Sequence, residues 1–284
     1  VAALKDIRNR IASVKKTQKI VSAMKMVAAA KLARAQHAIE SARPYAKKLR
    51  EVLASVSAGV DPEIHPLLVA RDEVRRLDVI LFTSDRGLCG AFNSNLIKTA
   101  DALVRERTAA GISVNLIPVG RRGHDHGKRR KASISRHWVP FAAATPELAA
   151  EIGQYVMQRY IAGESDEAVL VYGEFRSALT QRPVVERLLP LATPSADTAV
   201  RTYQIEPSPE QFLGQILPRA VEFSVFRACL ESQASEHGAR MTAMDSATSN
   251  TEELIHTLTL DYNKARQAAI TAELVEIVSG AEAL

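Results

Sequence analysis

Aromatic residues are scarce in this chain, at 5% of 284 positions. So few large rings, set against a 46% apolar share rich in alanine, argue against a β-sandwich and for a helix-rich architecture. Cysteine is nearly absent as well. Cys89 and Cys229 stand far apart with no C-x-x-C spacing, which excludes a disulfide framework and a cysteine-zinc site and leaves two reduced thiols as the expectation. No run of 18 apolar residues occurs, so no transmembrane helix is expected. Glycine is missing until Gly59, and Pro44 is the only proline before it. The first 57 residues therefore lack what breaks a helix, apart from Pro44, where a kink is expected.

What fills that stretch is a repeat. Leu4, Ile7, Ile11, Val14, Val21, Ala28, Leu32, Ala35, Ile39, Ala42, Ala46, Leu49, Leu53 and Val56 follow one another at alternating steps of three and four, with Gln18 and Lys25 at the two skipped positions. Seven heptads of this kind make a coiled-coil seam. The repeat returns near the other end, at Met241, Met244, Thr248, Thr251, Ile255, Leu258, Tyr262, Ala265, Ala269 and Ala272. A folded middle brings the chain back, so the two helices are predicted to pair antiparallel, with the longer second one projecting past the first by about 20 Å. Its far end is read as alanine-rich and slender.

The middle reads as α/β. Leu77–Phe82, Val114–Val119 and Ala168–Tyr172 are apolar runs of buried-strand length. Asn93–Ala110, closed by Gly111, and Pro146 to Gly163, capped by Thr145, are helices between them. Alternation of this kind points to a parallel-type sheet. Pro183–Leu189 and Thr202–Ile205 are weaker strand candidates. The final helix opens on Ser208-Pro209-Glu210-Gln211, a capping box, with Pro218 and Gly238 as weak points and Gly280 as its end. The domains are therefore 1–58, a coiled-coil helix; 59–207, a linker and the α/β domain; and 208–284, the second coiled-coil helix.

Charge is unevenly placed. Residues 1–50 hold 13 Lys/Arg and 2 Asp/Glu, leaving 24 against 30 in the rest, so a net of +11 in the first helix sits within an overall +5. Acidic partners are implied. Nucleic acid is a poor fit, because Tyr45 is the only aromatic residue before Phe82 and bases need stacking surfaces.

Candidate chemistry is thin. Thr83-Ser84-Asp85-Arg86-Gly87-Leu88-Cys89-Gly90 follows a strand and precedes a helix, where a phosphate loop would stand, yet it is neither G-x-G-x-x-G nor G-x-x-x-x-G-K-[ST]. A tight structural turn, with Asp85 and Arg86 as a surface ion pair, is the expectation. His124-x-His126 has two metal-type ligands, but it lies in the basic stretch Arg121–Lys131 and reads as a solvated loop. No nucleophile with a base is legible. Two other classes compete with a mechanical reading. A nucleotide-binding α/β enzyme with a coiled-coil arm fails on phosphate-loop spacing, and a basic nucleic-acid adaptor would show salt-dependent binding.

Three segments carry a resemblance. They are Leu4–Ile11 continuing through Thr17–Ile20 to Ala23–Ala29; Ser84-Asp85-Arg86-Gly87-Leu88-Cys89-Gly90 with Asn93; and Tyr262–Thr271 followed by Glu273, Glu276, Gly280 and Ala281. Together they resemble the γ subunit of the F-type ATP synthase, bacterial type, over essentially the whole chain. The resemblance implies a Rossmann-like middle domain inserted between the paired helices of a rotor shaft. It implies no catalytic, cofactor or metal site in this chain, with ATP/ADP and Mg held by partner subunits. The implied partners are the α and β subunits of the hexamer, the ε subunit and the c-ring, with no nucleic acid and with membrane contact only through the complex. Met24, Arg266, Gln267 and Thr271 are the implied β-subunit contacts. The implied location is the cytoplasmic face of the bacterial inner membrane, the matrix side of a mitochondrion being the alternative. Gly238 departs from the family's usual helix former and is expected to soften the shaft. The cysteine-bearing insertion of plant-chloroplast members is missing, so no redox control is expected.

Overall fold

In the computed structural model residues 2–57, 64–191 and 208–282 are described. The elements are α1 (Ala2–Ser57), β1 (Arg76–Phe82), α2 (Phe92–Ala109), β2 (Ser113–Val119), α3 (Arg121–Arg129), α4 (Pro146–Ile161), β3 (Glu167–Phe175), β4 (Gln181–Leu189) and α5 (Pro209–Glu282). The chain divides into two compact units. One joins Val1–Ala28 to Met241–Leu284, and the other is Ala29–Arg240.

The first unit is a helix pair. Gln18 Nε2 donates to Glu252 Oε1 at 3.2 Å, and Lys25 pairs with Asp245. One heptad up α1 is thus one heptad down α5, which makes the pair antiparallel. Along α1 the half-buried or buried positions Leu4, Ile7, Ile11, Val14, Gln18, Val21, Lys25 and Ala28 are the predicted seam, its two polar members included. On α5 the seam runs from Met241 to Ala269, with Met244 and Leu258 buried. The same spacing sets Ala2 opposite the neighbourhood of Ala268. Beyond it Ala272 and every described side chain from 271 to 279 is exposed. The overhang to Glu282 is about 20 Å long. It is more apolar than an alanine tip, since Ile270, Leu274, Val275, Ile277 and Val278 all stand in solvent. Gly280 does not end the helix, which continues through it to Glu282.

In the second unit a four-stranded sheet has the order β2-β1-β3-β4. β1 lies parallel to both neighbours, with Val79 opposite Leu116 on one side and Val169 on the other. β4 is antiparallel to β3. The cause is the connection: five residues, 176–180, join the two strands, too few for a crossover. β1 is buried on both faces from Leu77 to Phe82. Leu77, Val79 and Leu81 meet Phe92, Leu96 and Ala100 of α2. Ile80 and Phe82 face the other way, toward Ile152, Val156 and Tyr160 of α4 and Leu217, Val221 and Val225 of α5.

The interior prolines of the long helices, Pro44 in α1 and Pro218 in α5, lie within continuous helix. The Gly59–Pro62 stop and the Thr202–Ile205 strand candidate lie outside the described residues. Arg121–Lys131 is a correction. It forms helix α3 over nine residues, because Gly123 and Gly127 fall one turn apart and present a bare face to the sheet. A Cβ on Gly127 would come within 2.9 Å of Leu116 and one on Gly123 within 3.0 Å of Thr83.

Candidate functional site

The glycine turn after β1 is held from every side. Ser84 N donates to Asn93 Oδ1 at 3.0 Å, and Asn93 Nδ2 donates to Ser84 Oγ at 2.8 Å and to Cys89 Sγ at 3.1 Å. Burial pushes the Cys89 thiol up, so it stays protonated at neutral pH. Asp85 is half-buried and does not pair with Arg86. Its Oδ1 accepts the Arg121 N–H at 2.9 Å, at the start of α3, whose own preceding residue Gly120 offers no side chain for capping. Ser84 O accepts from Arg122 N and Thr83 Oγ1 from Gly123 N, so the first amides of α3 are satisfied by protein. That leaves them nothing to offer a phosphate. Gly120 has φ +101, and a Cβ there would collide with the Thr83 carbonyl, which is why this crossing needs glycine.

In a sheet of this order, ligands bind at the carboxyl ends of the strands where the winding reverses, here between β1 and β3. That place is filled by α5. Ser235 Oγ donates to the Gly173 carbonyl at 2.9 Å, and a Cβ on Gly173 would lie 2.9 Å from Phe92 and 3.0 Å from Ser235. Arg240 Nη2 reaches the carbonyls of Arg86 and Gly87 at 3.4 and 3.3 Å. Gly238 is buried as well, with Gln181, Ala178 and Phe175 of the β3–β4 hairpin within 3.4 Å of where its Cβ would be. A small residue here seats the hairpin.

A second tie joins α5 to the sheet. Arg227 donates to Glu186 at 2.5 Å and to the Tyr172 hydroxyl at 3.0 Å, and that hydroxyl donates to the other Glu186 oxygen at 2.7 Å. Glu231 shares Arg227 at 3.5 Å but has one carboxylate oxygen buried without a partner among the described residues. Burial, with Glu174 and Glu186 nearby, pushes its carboxyl up despite Arg227. None of these groups is a nucleophile beside a base. His124 stacks on His137 at 4.3 Å and His126 pairs with Asp101 at 2.9 Å, but among the described residues no three His, Cys, Asp or Glu converge as metal ligands. Among the described residues, no helix is long and apolar enough to cross a membrane.

The family model described as ATP synthase matches residues 3–284. The ATP synthase gamma chain of Syntrophus aciditrophicus is 48% identical over all of this chain and 99% of its own length. That of Moorella thermoacetica is 49% identical over the whole of both. The chain belongs to the ATP synthase gamma chain family. Among solved structures, a chain of the Tetrahymena thermophila mitochondrial ATP synthase central stalk and c-ring is 25% identical with a TM-score of 0.59, covering 80% of this chain and 99% of that one. A chain of the Euglena gracilis mitochondrial ATP synthase, 22% identical with a TM-score of 0.70 over 99% of this chain and 94% of its own, shares the fold.

The residues that the family resemblance singles out fall into three separate places. Ser84, Asp85, Gly87 and Gly90 build the turn, and Gly90 has φ +55. Arg86 and Leu88 are its exposed members; Arg86 has no side-chain partner among the described residues, and Leu88 is 62% exposed. Met24 is half-buried on α1, beside Lys25. Arg266 and Gln267 are exposed on α5, while the Thr271 hydroxyl donates to the Gln267 carbonyl at 3.0 Å and so faces outward as an acceptor. Glu273 and Glu276 lie on the overhang, exposed among the aliphatic residues. Those aliphatic residues were missed by seam counting, which has no rule for where the partner helix stops.

Proposed function

We propose that this chain is the central-stalk rotor of a proton-translocating ATP synthase, coupling rotation of a membrane c-ring to ATP synthesis and hydrolysis in a surrounding α/β hexamer. The observation that carries this reading is the antiparallel pair with its uncovered overhang, in a chain that aligns end to end with gamma chains. A helix pair 28 residues deep on one side, bearing exposed Ile20, Met26 and Val27 among the cations of α1, suits a sleeve that is acidic in places and apolar in others. Single exposed ion pairs contribute only about 0.2–1 kcal/mol each. A rotor can make and break such contacts at successive angles without being trapped.

On this reading ATP, ADP and Mg are bound by the partner subunits, and this chain meets β subunits through Met24, Arg266, Gln267 and Thr271. The ε subunit and the c-ring engage the α/β unit. The complex lies at the cytoplasmic face of a bacterial inner membrane, and this chain touches the membrane only through it. The test is reconstitution with the α and β subunits of Moorella thermoacetica, whose gamma chain is 49% identical. A bead fixed to the α/β unit should rotate stepwise when ATP is added. Assembly with steady hydrolysis but no rotation would refute the reading.

A further inference from the structure

The turn after β1 has a feature that neither the family nor the rotor reading explains. Its tip is exposed at Leu88, a non-glycine residue at φ +62, yet the carbonyls of Arg86 and Gly87 are not left to water, and that of Arg86 also accepts from Ser84 Oγ at 2.5 Å. Both accept from one guanidinium, that of Arg240, which belongs to α5. Arg240 is the last residue of the larger unit, immediately before the helix continues as half of the helix pair. Its side chain is 12% exposed and its Nη1 is held at 2.6 Å by Glu236, one turn back and 13% exposed. His237 Nδ1 lies 3.4 Å from the same nitrogen. Burial, together with Arg240 and Lys31, pushes that imidazole down to about 4, so it is neutral and can accept. The fork is thus fixed on one side by a carboxylate and an imidazole and spends its other nitrogen on backbone carbonyls.

We propose that Arg240 is a positioning residue that makes the turn 84–90 an attachment of α5. The exposed Arg86 and Leu88 then keep one place on that helix whenever it turns. The assignment rests on the rotor reading only for its use, since the clasp itself lies within one unit. Three other anchors, Asp85 to Arg121 N, Ser84 with Asn93, and Thr83 to Gly123 N, tie the base of the turn to α2 and α3. Arg240 ties its tip to α5 through hydrogen bonds to the Arg86 and Gly87 carbonyls.

The test is hydrogen exchange on the full chain, read at the amides of Ser84, Phe92, Arg121 and Arg122, which the turn protects. Arg240→Ala should raise their exchange about tenfold, equivalent to about 1.4 kcal/mol of local opening. Millimolar methylguanidinium should reverse most of that, because the Glu236 carboxylate and the two carbonyls still converge on the vacated space. Arg227→Ala, which removes the other buried guanidinium of α5, should neither loosen these four amides preferentially nor respond to methylguanidinium. Arg240→Lys keeps the charge beside Glu236 but not the fork, and should give a smaller rise, which decides the matter if the alanine variant does not fold. Turn amides in Arg240→Ala or Arg240→Lys that exchange as in the parent overturn the assignment. So does a rise spread evenly over β1 and β3. In the assembled complex, Arg240→Ala should also lower protons pumped per ATP hydrolysed severalfold. If exchange and rescue behave as stated while pumping is unchanged, the clasp stands and its use by the rotor fails.

Discussion

Replacing Leu258 by alanine should open the helix pair and leave the sheet untouched. In the unit formed by Val1–Ala28 and Met241–Leu284, Ala28, Met244 and Leu258 are the buried apolar residues among those described, and only the last two are large. Leu258 is 7% exposed. Truncation removes three carbons, roughly 2.4 kcal/mol of transfer free energy at about 0.8 per methylene. The residual cavity adds to this, giving about 2.5–4 kcal/mol, at the low end if two helices can close the gap. That corresponds to an opening equilibrium raised about 70- to 900-fold. Hydrogen exchange by mass spectrometry resolves it. Peptides within 10–20 and 250–262 should lose protection by that factor, while those within 168–172, where Leu170 is fully buried, should not change. An equal loss in the strands would mean that the two units unfold as one and that the seam carries no separate stability.

Four further outcomes are expected. Burial raises the Glu231 carboxyl above its unfolded value, so its contribution to stability is complete below the unfolded carboxylate range and is lost as pH rises through the folded value; Glu231→Gln should therefore be increasingly stabilising from pH 5 to pH 8 in urea titrations, and an advantage independent of pH would discount the buried oxygen as its cause. Met24→Lys adds a cation next to Lys25 on the face assigned to a β subunit, so ATP hydrolysis by the assembled complex should persist while proton pumping falls; equal loss of both would indicate misassembly. Arg266→Ala combined with Gln267→Ala keeps helix propensity and should leave assembly intact while lowering steady-state ATPase strongly, and unchanged turnover would remove these residues from the β contact. Isothermal calorimetry should find no micromolar ATP binding to the isolated chain, since α5 fills the strand-end crevice; a measured micromolar site would contradict that.

Much of this is legible in the sequence alone, for identifiable reasons. A heptad seam depends on spacing alone, so Gln18 and Lys25 could be placed on it although neither is apolar. β1 and β3 were plain because strands covered on both faces are continuous apolar runs. The sense of β4 was not, since Pro183 and alternating burial mark an edge without saying which way it runs. α3 was hidden by composition: its seven residues other than glycine are charged or histidine, and the real signal was two glycines four apart. The occupation of the crevice by α5 was illegible because it depends on Ser235 meeting Gly173, 62 residues apart, and no local pattern encodes that.

Between Ala228 and Gly238 no side chain of the final helix is more than partly exposed. Ala228, Cys229, Ala234 and Ser235 are fully buried, and Ser232 nearly so. A helix with no outward face has lost the freedom that lets exposed positions drift. Sequence change should be narrowest there, in the first half of a 74-residue helix whose later turns admit nearly anything helical on their outer side. A saturation library of α5 ought to show one dark band of intolerance about three turns long, set by residue volume more than by charge or hydropathy. The crevice at the strand ends is in this sense committed to the helix. To open that place to a ligand, the chain would have to give up the helix on which it turns.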